Sequence, residues 1–153
     1  IAPIGRARNN PALSLSQGET KTLLDFIARS RKESAGLIDI VFGCEAYTGP
    51  YEEKVRPYGF FCRAGINIAS VLVDGSIAAC PNISRDFIQG SIEYDSFIET
   101  WRNRYAPFRR RQWTRRAGPC ALCRDYRHCL GGAMHLWSGK DGELLCCLNQ
   151  TIT

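Results

Sequence analysis

The chain has 153 residues, 44% of them hydrophobic, which is enough to bury the core of one domain, or of a small domain and part of another. No apolar run approaches the roughly 20 residues that cross a bilayer, and the N-terminal residues lack the regions of a signal peptide, so we expect no membrane segment and a cytoplasmic location. The net charge of +5 comes largely from one arginine-rich stretch and does not by itself indicate a nucleic-acid partner.

Eight cysteines are the most informative feature of the composition. They are many for a cytoplasmic protein of this size, yet too few for a short secreted scaffold held by disulfides. In a reducing compartment, such cysteines bind metal more often than they form disulfides. We therefore favour metal binding over disulfide bonding.

The N-terminal part of the chain is predicted to form one α/β unit. Ser16 is followed three residues later by Glu19, the capping-box arrangement that starts a helix, and this helix is expected to run to about Glu33. Residues 37–42 are a short apolar and β-branched run, typical of a buried parallel strand. Because the chain opens at Ile1, without a methionine and in a segment typical of a strand end, we also expect an upstream continuation.

Cys44 comes two residues after the predicted strand. Functional residues of parallel α/β folds gather at the carboxyl ends of strands, so Cys44 occupies a typical site position. A buried structural cysteine is an equally good interpretation, because thiols often pack as small apolar groups. Turn-rich sequence then replaces the helix and strand alternation, and we place a domain boundary at Pro57.

A β-hairpin is predicted over residues 66–79. Its two strands, 66–73 and 76–79, flank Asp74-Gly75, a pair that favours a type I′ turn. Cys62 and Cys80 lie just outside the two strands. Antiparallel pairing brings the outer ends of a hairpin together, so these two thiols are expected to approach each other.

Residues 94–105 carry apolar side chains at helical spacing, with Asp95 or Ser96 as a cap, and this pattern is typical of core packing. An arginine cluster interleaved with aromatic residues follows: Arg102, Arg104, Arg109, Arg110, Arg111, Arg115 and Arg116. Such a cluster grips phosphates or acidic peptide in some proteins. We favour the alternative, a solvated face or a counterpoise to anionic thiolates, and do not expect nucleic acid as a partner.

The C-terminal cysteines have the spacing of a metal site. Cys120 and Cys123 form a C-x2-C turn, Cys129 follows after five residues, and Cys146 and Cys147 come later. Two thiolates on a turn, one a short helix away and one returning from a hairpin can meet around one metal centre. Successive side chains of an extended segment alternate faces, so one of the two adjacent cysteines is expected to be a bystander. Zinc and iron–sulfur clusters both remain open at this point.

The whole cysteine arrangement resembles the SPASM pattern of radical SAM peptide-modifying enzymes. That pattern is C-x9–15-G-x4-C, a gap, C-x2-C-x5-C-x3-C, a gap, and C. The matching residues are Cys62, Gly75 and Cys80, then Cys120, Cys123 and Cys129, and finally Cys146 or Cys147. The resemblance covers roughly residues 58–153. Residues 61–67 and the Cys44-Glu45 segment also resemble a Bacteroidetes subgroup of these enzymes that is associated with small lipoproteins.

This resemblance implies two sites for auxiliary [4Fe–4S] clusters. The second site would consist of Cys120, Cys123, Cys129 and one of Cys146 and Cys147. The first site would use Cys62, Cys80, an upstream cysteine and the last cysteine of the C-x2-C-x5-C-x3-C run. Cys44 is available as the upstream ligand, but the last position is Ala133, which leaves three thiolates. His135 either supplies the missing ligand or is a packing or capping histidine.

The resemblance also implies an α+β fold. Residues 1–57 would be the last units of a partial (β/α) barrel, and residues 58–153 a SPASM domain with a β-hairpin and short helices. The chain lacks C-x3-C-x2-C, the motif that in this family binds the cluster contacting S-adenosylmethionine, so an upstream part would bind that cofactor and this chain would not be active alone. The expected partners are a peptide or protein substrate and an electron-donor protein, and no residue is assigned a catalytic or substrate-binding role.

The alternative is a non-catalytic module in which four cysteines hold one zinc ion. Tetrahedral zinc sites use similar cysteine spacings. In that interpretation the arginine and aromatic stretch would contact nucleic acid, and its affinity would fall steeply with salt.

Overall fold

A computed structural model of the chain describes residues 10–43, 46–115 and 118–145. The helices within these residues are α1 (Gln17–Glu33), α2 (Glu52–Val55), α3 (Phe97–Asn103), α4 (Ala106–Arg109) and α5 (Tyr126–Cys129). The strands are β1 (Ser70–Val71), β2 (Ser76–Ala78) and β3 (Gly90–Ser91). Short 3₁₀ turns lie at Pro11–Leu13, Gly49–Tyr51, Arg85–Phe87, Arg111–Arg115, Gly118–Cys120 and Met134–Leu136. Helices and one small antiparallel sheet agree with the predicted α+β class, and none of the described helices is long and apolar enough to cross a membrane.

Helix α1 begins where its sequence predicts. The Ser16 hydroxyl accepts a hydrogen bond from the Glu19 amide (3.3 Å), and the Glu19 carboxylate accepts one from the Ser16 amide (2.8 Å). This reciprocal pair satisfies two amides that the helix itself leaves without partners. The helix ends at Glu33, and Gly36 turns the chain with a φ of +83°. The capping-box prediction is confirmed.

The predicted strand over residues 37–42 does not form. Leu37 is 88% exposed and Ile38 is 63% exposed, and no strand pairs with the segment among the described residues. Instead, Ile40 and Phe42 pack beside the buried face of α1, where the Arg31 guanidinium donates to the Ile40 carbonyl. A parallel strand needs neighbours to satisfy its backbone groups, and the described chain supplies none here.

The hairpin forms, but with shorter strands than predicted. Strand β1 pairs antiparallel with β2, which pairs antiparallel with β3. Residues 66 and 67 belong to a turn before β1, not to a strand, because the chain bends at Gly65. The φ of Gly65 is +71°, and a Cβ there would lie 2.3 Å from the Phe108 Cβ, so a glycine is required.

The type I′ turn predicted for Asp74-Gly75 is wrong. Type I′ needs positive φ at both central residues, but Leu130 is the single non-glycine residue with positive φ in the described ranges. The connection is a three-residue loop in which the Gly75 amide donates to the Leu72 carbonyl (2.9 Å) and Gly75 has a φ of +78°. The Asp74 carboxylate accepts from the Ser76 amide (3.1 Å) and thereby stabilises this three-residue loop.

The main core lies between the sheet, helices α3 and α4, and the C-terminal 3₁₀ turn. It is rich in aromatic rings, and its fully buried side chains include Ile77, Phe87, Tyr105, Phe108 and Met134. The Tyr105 hydroxyl donates to the Ala78 carbonyl (2.9 Å), which ties the helical layer to β2. Both hairpin cysteines pack against this core, so their positions depend on it.

Candidate metal centre

Two of the predicted ligands flank the hairpin and line one cavity. Cys62 precedes the bend before β1, and Cys80 follows β2 by two residues. Both are half-buried, and both line a cavity of about 570 Å³. No disulfide joins any two of the five cysteines that the structure describes. The antiparallel sheet thus places these two cysteines on one cavity.

The 3₁₀ turn Met134–Leu136 contributes Met134 and His135 to the lining of this cavity. His135 lines the cavity and is half-buried, whereas Met134 and Leu136 on either side are fully buried. The Leu136 amide donates to the Ala133 carbonyl (3.0 Å), and the Leu145 amide donates to the Leu136 carbonyl (3.0 Å). These contacts fix the backbone that carries the imidazole.

Ala133 stands where the SPASM pattern has a cysteine. It is fully buried and packs with Ala46 and Leu136 in a small apolar cluster, against which Cys62 also packs. The position therefore lies beside Cys62, as the pattern requires, but it carries a methyl group in place of a donor.

The C-x2-C turn and α5 carry three further cysteines. The Cys123 amide donates to the Cys120 carbonyl (3.4 Å), and the Cys129 amide donates to the Asp125 carbonyl (3.0 Å). Cys120 is buried in the main core, whereas Cys123 and Cys129 are half-buried. Immediately after Cys129 the chain reverses through Leu130, Gly131 and Gly132, all with positive φ. The short helix expected between the second and third cysteines is present.

The segment that leads towards Cys146 returns antiparallel to the 3₁₀ turn. Trp137 and Leu144 form an isolated antiparallel bridge, and Leu144 and Leu145 pack against the cluster around Ala133. Cys44, Cys146 and Cys147 themselves lie outside the described residues.

A buried ion pair that the sequence reasoning missed binds the backbone of Gly43 and Ala46. Arg56 donates to the Ala46 carbonyl (2.8 Å) and the Gly43 carbonyl (3.3 Å), and its Nε lies 3.4 Å from the Glu52 carboxylate. Glu52 also accepts from the Thr48 amide and hydroxyl (both 2.9 Å) and from the Phe60 amide. Glu and Arg four residues apart on a helix are a sequence signal that could have revealed the pair.

Tyr47 links this loop to α5. Its ring stacks on His128 with centroids 5.6 Å apart. Burial raises the pKa of the Tyr47 hydroxyl, and the negative charges of Asp125, Glu52 and Cys129 add to the effect. Residues 46 and 47 therefore contact both cysteine-bearing regions. Ala46 packs with Ala133 in the cluster that Cys62 joins, and Tyr47 stacks on His128, which precedes Cys129 on α5.

The arginine cluster is used largely within the protein. Arg109 lies over the Trp101 ring, 4.8 Å from its centroid, and donates to the Trp101 carbonyl (2.7 Å). Arg111 is buried and donates to the Gly132 carbonyl (2.8 Å), and Arg104 pairs with Asp95 at 2.7 Å. These contacts give three of the arginines a structural role that neither interpretation of the sequence anticipated.

Within the described ranges, no three His, Cys, Asp or Glu side chains converge closely enough to hold a single metal ion. A cluster has different needs, because its thiolates surround a body of iron and sulfide and do not meet at one point. Cys62, Cys80 and His135 border one cavity of about 570 Å³. Thiolates and imidazole are donors that hold iron–sulfur clusters, so the donors of this cavity fit such a group.

A family model described as an iron–sulfur cluster-binding domain, SPASM, matches residues 62–129. The match begins at Cys62 and ends at Cys129, so it contains every cysteine that the structure describes. No curated protein and no solved structure matches the chain. The similarity agrees with the resemblance found in the sequence and implies iron–sulfur cluster binding by this part of the chain.

Proposed function

We propose that residues 58–153 bind auxiliary [4Fe–4S] clusters as part of a radical SAM enzyme that modifies a peptide or protein. The observation that carries this proposal is the SPASM match bounded by Cys62 and Cys129. The placement of Cys62 and Cys80 on one cavity supports it. The alternative of a zinc module gains no support, because the match is to an iron–sulfur domain and the described residues form no single-ion site.

The second site holds its cluster by Cys120, Cys123, Cys129 and one of Cys146 and Cys147. The first site uses Cys44, Cys62 and Cys80. Bound clusters supply one-electron transfer or an open iron that binds substrate. The number of thiolate ligands would set how much charge the protein brings to each cluster. Packing of Cys62, Cys80 and Cys120 in the main core would limit access of water to these ligands.

Residues 1–57 are assigned to the end of the partial barrel. The support comes from Leu37, Ile38 and Val41, which expose apolar side chains in a segment whose sequence is typical of a buried strand. In the full enzyme, neighbouring strands would cover them. The barrel would also supply the motif that binds S-adenosylmethionine, which the sequence of this chain lacks.

The remaining assignments follow from the same proposal. The substrate is a peptide or protein, an electron-donor protein reduces the clusters, and the enzyme acts in the cytoplasm. A nucleic-acid partner is disfavoured, because Arg104, Arg109 and Arg111 already make contacts within the protein.

Replacing Cys129 by alanine tests the second site. Cys129 is one of the three second-site ligands that the structure describes, so Cys129→Ala should lose about four irons per chain, one [4Fe–4S] cluster. The matched control is Arg127→Ala on the same helix, an exposed side chain that should leave the iron content unchanged. Iron and acid-labile sulfide are measured on protein purified without oxygen. Full iron in Cys129→Ala would contradict the assignment.

A further inference from the structure

We propose that His135 is the fourth protein ligand of the first-site cluster and replaces the cysteine that is absent at position 133. This inference rests on the proposed function, since it concerns the ligands of a cluster that the SPASM match implies. It goes further by giving that cluster three thiolates and one imidazole.

Position 133 cannot supply the ligand. Ala133 is fully buried, and its methyl group packs with Ala46 and Leu136 beside Cys62. Ala133 itself is extended, with φ −73° and ψ 146°, and leads directly into the 3₁₀ turn that begins at Met134. The next residue in the chain with a strong nitrogen or sulfur donor on the cavity is therefore His135, two positions on.

His135 is placed on the same cavity as the two hairpin thiols. The described residues that line this cavity include Cys62, Cys80 and His135 but no aspartate or glutamate. Three different segments thus contribute a metal donor to one cavity. Cys62 lies before β1, Cys80 lies after β2, and His135 lies in the Met134–Leu136 turn. Met134 and Leu136, fully buried on either side of His135, hold the imidazole at the wall.

A histidine ligand changes the charge of the first site. An imidazole binds iron in its neutral form, so the first site would carry one negative charge fewer than a four-thiolate site. Substitution of histidine for cysteine on an iron–sulfur cluster raises its reduction potential. The first-site cluster should therefore be reduced more easily than the second, which would be held by cysteines alone.

The test is pulsed electron paramagnetic resonance on the full chain, reconstituted with iron and sulfide without oxygen and then reduced. We expect about eight irons per chain, two clusters, and the strong nitrogen coupling of an imidazole bound directly to iron. His135→Cys should keep the iron, lose the coupling and shift the reduction potential down. His135→Ala should lose the coupling as well.

The matched control is the other histidine of the sequence. His128 stacks on Tyr47, and its Nε2 accepts a hydrogen bond from Arg127 (2.9 Å). His128→Ala should therefore keep the nitrogen coupling. A chain that binds iron but shows no strong coupling, or one whose coupling survives in His135→Cys, would overturn this inference and leave the proposed function intact. A chain that binds no iron would overturn both.

Discussion

Glu52 and Arg56 are two buried charges. Arg56 binds the carbonyls of Gly43 and Ala46, and Glu52 binds the Phe60 amide, so the pair joins these backbone positions to the segment that leads into the hairpin. Their ion pair is backed by hydrogen bonds to Thr48, Ala46 and the Phe60 amide. Removing one partner of such a pair leaves a buried charge and several backbone groups without partners.

The pair makes a direct stability prediction. Glu52→Ala should lower the free energy of unfolding by about 3 kcal/mol, because Arg56 would remain buried and charged. Urea unfolding followed by circular dichroism measures the change. Glu53→Ala is the matched control, since Glu53 is exposed on the same helix. Equal losses in the two variants would show that the buried pair does not stabilise the fold.

Gly65 makes a second prediction at the scale of one residue. Alanine at this position combines a positive φ with a Cβ 2.3 Å from Phe108, so Gly65→Ala should destabilise the chain by about 2 kcal/mol or more. Gly59→Ala provides the comparison, because an added Cβ there meets nothing within 4 Å. If the unfolding curves of the two variants coincide, Phe108 does not pack closely against the bend at Gly65.

Helix α1 and the hairpin, which were predicted from local signals, are present in the structure. The strand predicted over residues 37–42, which depends on distant partners, is not. The Ser16 capping box predicted the start of α1, and the Asp74-Gly75 pair between two strand-like runs predicted the hairpin. The turn type was missed because the Asp74 carboxylate binds the Ser76 amide and Arg85, a preference that the dipeptide alone does not reveal. The strand over residues 37–42 was missed because strand pairing is a non-local property.

The hairpin loop carries a prediction about pH. The pKa of Asp74 is lowered from 3.8 to about 2, first by the hydrogen bond from the Ser76 amide and then by the Ser76 hydroxyl and Arg85. A carboxylate whose pKa is lower in the folded than in the unfolded state stabilises the fold. The stabilisation is complete above the pKa of the unfolded state and is lost as the pH falls to the pKa of the folded state. Asp74→Asn should therefore reduce the acid dependence of stability between about pH 4 and pH 2.

Unfolding free energies measured across that pH range check this prediction. Asp39→Asn serves as the control, because it removes a carboxylate from an exposed position in another segment. A slope that is as steep in Asp74→Asn as in the unaltered chain would mean that the loop carboxylate does not couple to folding.

At the scale of the whole molecule, cysteine spacing predicted the chemistry but only part of the site. Cys62 and Cys80 line one cavity, and Cys120 and Cys123 share a turn, because hairpins and turns convert short spacings into proximity. The link from Tyr47 to His128 joins segments that are distant in the sequence, so spacing could not reveal it. The assignment of individual cysteines to the two clusters stays a prediction.

The central claim is that this chain binds iron–sulfur clusters through its cysteines. Iron, acid-labile sulfide and zinc per chain, measured on protein purified without oxygen, test it most directly, together with the absorption spectrum before and after dithionite. We expect about four irons and four sulfides if the second site alone is filled and about eight of each if both sites are filled, with bleaching on reduction. Stoichiometric zinc in a colourless protein would contradict the account.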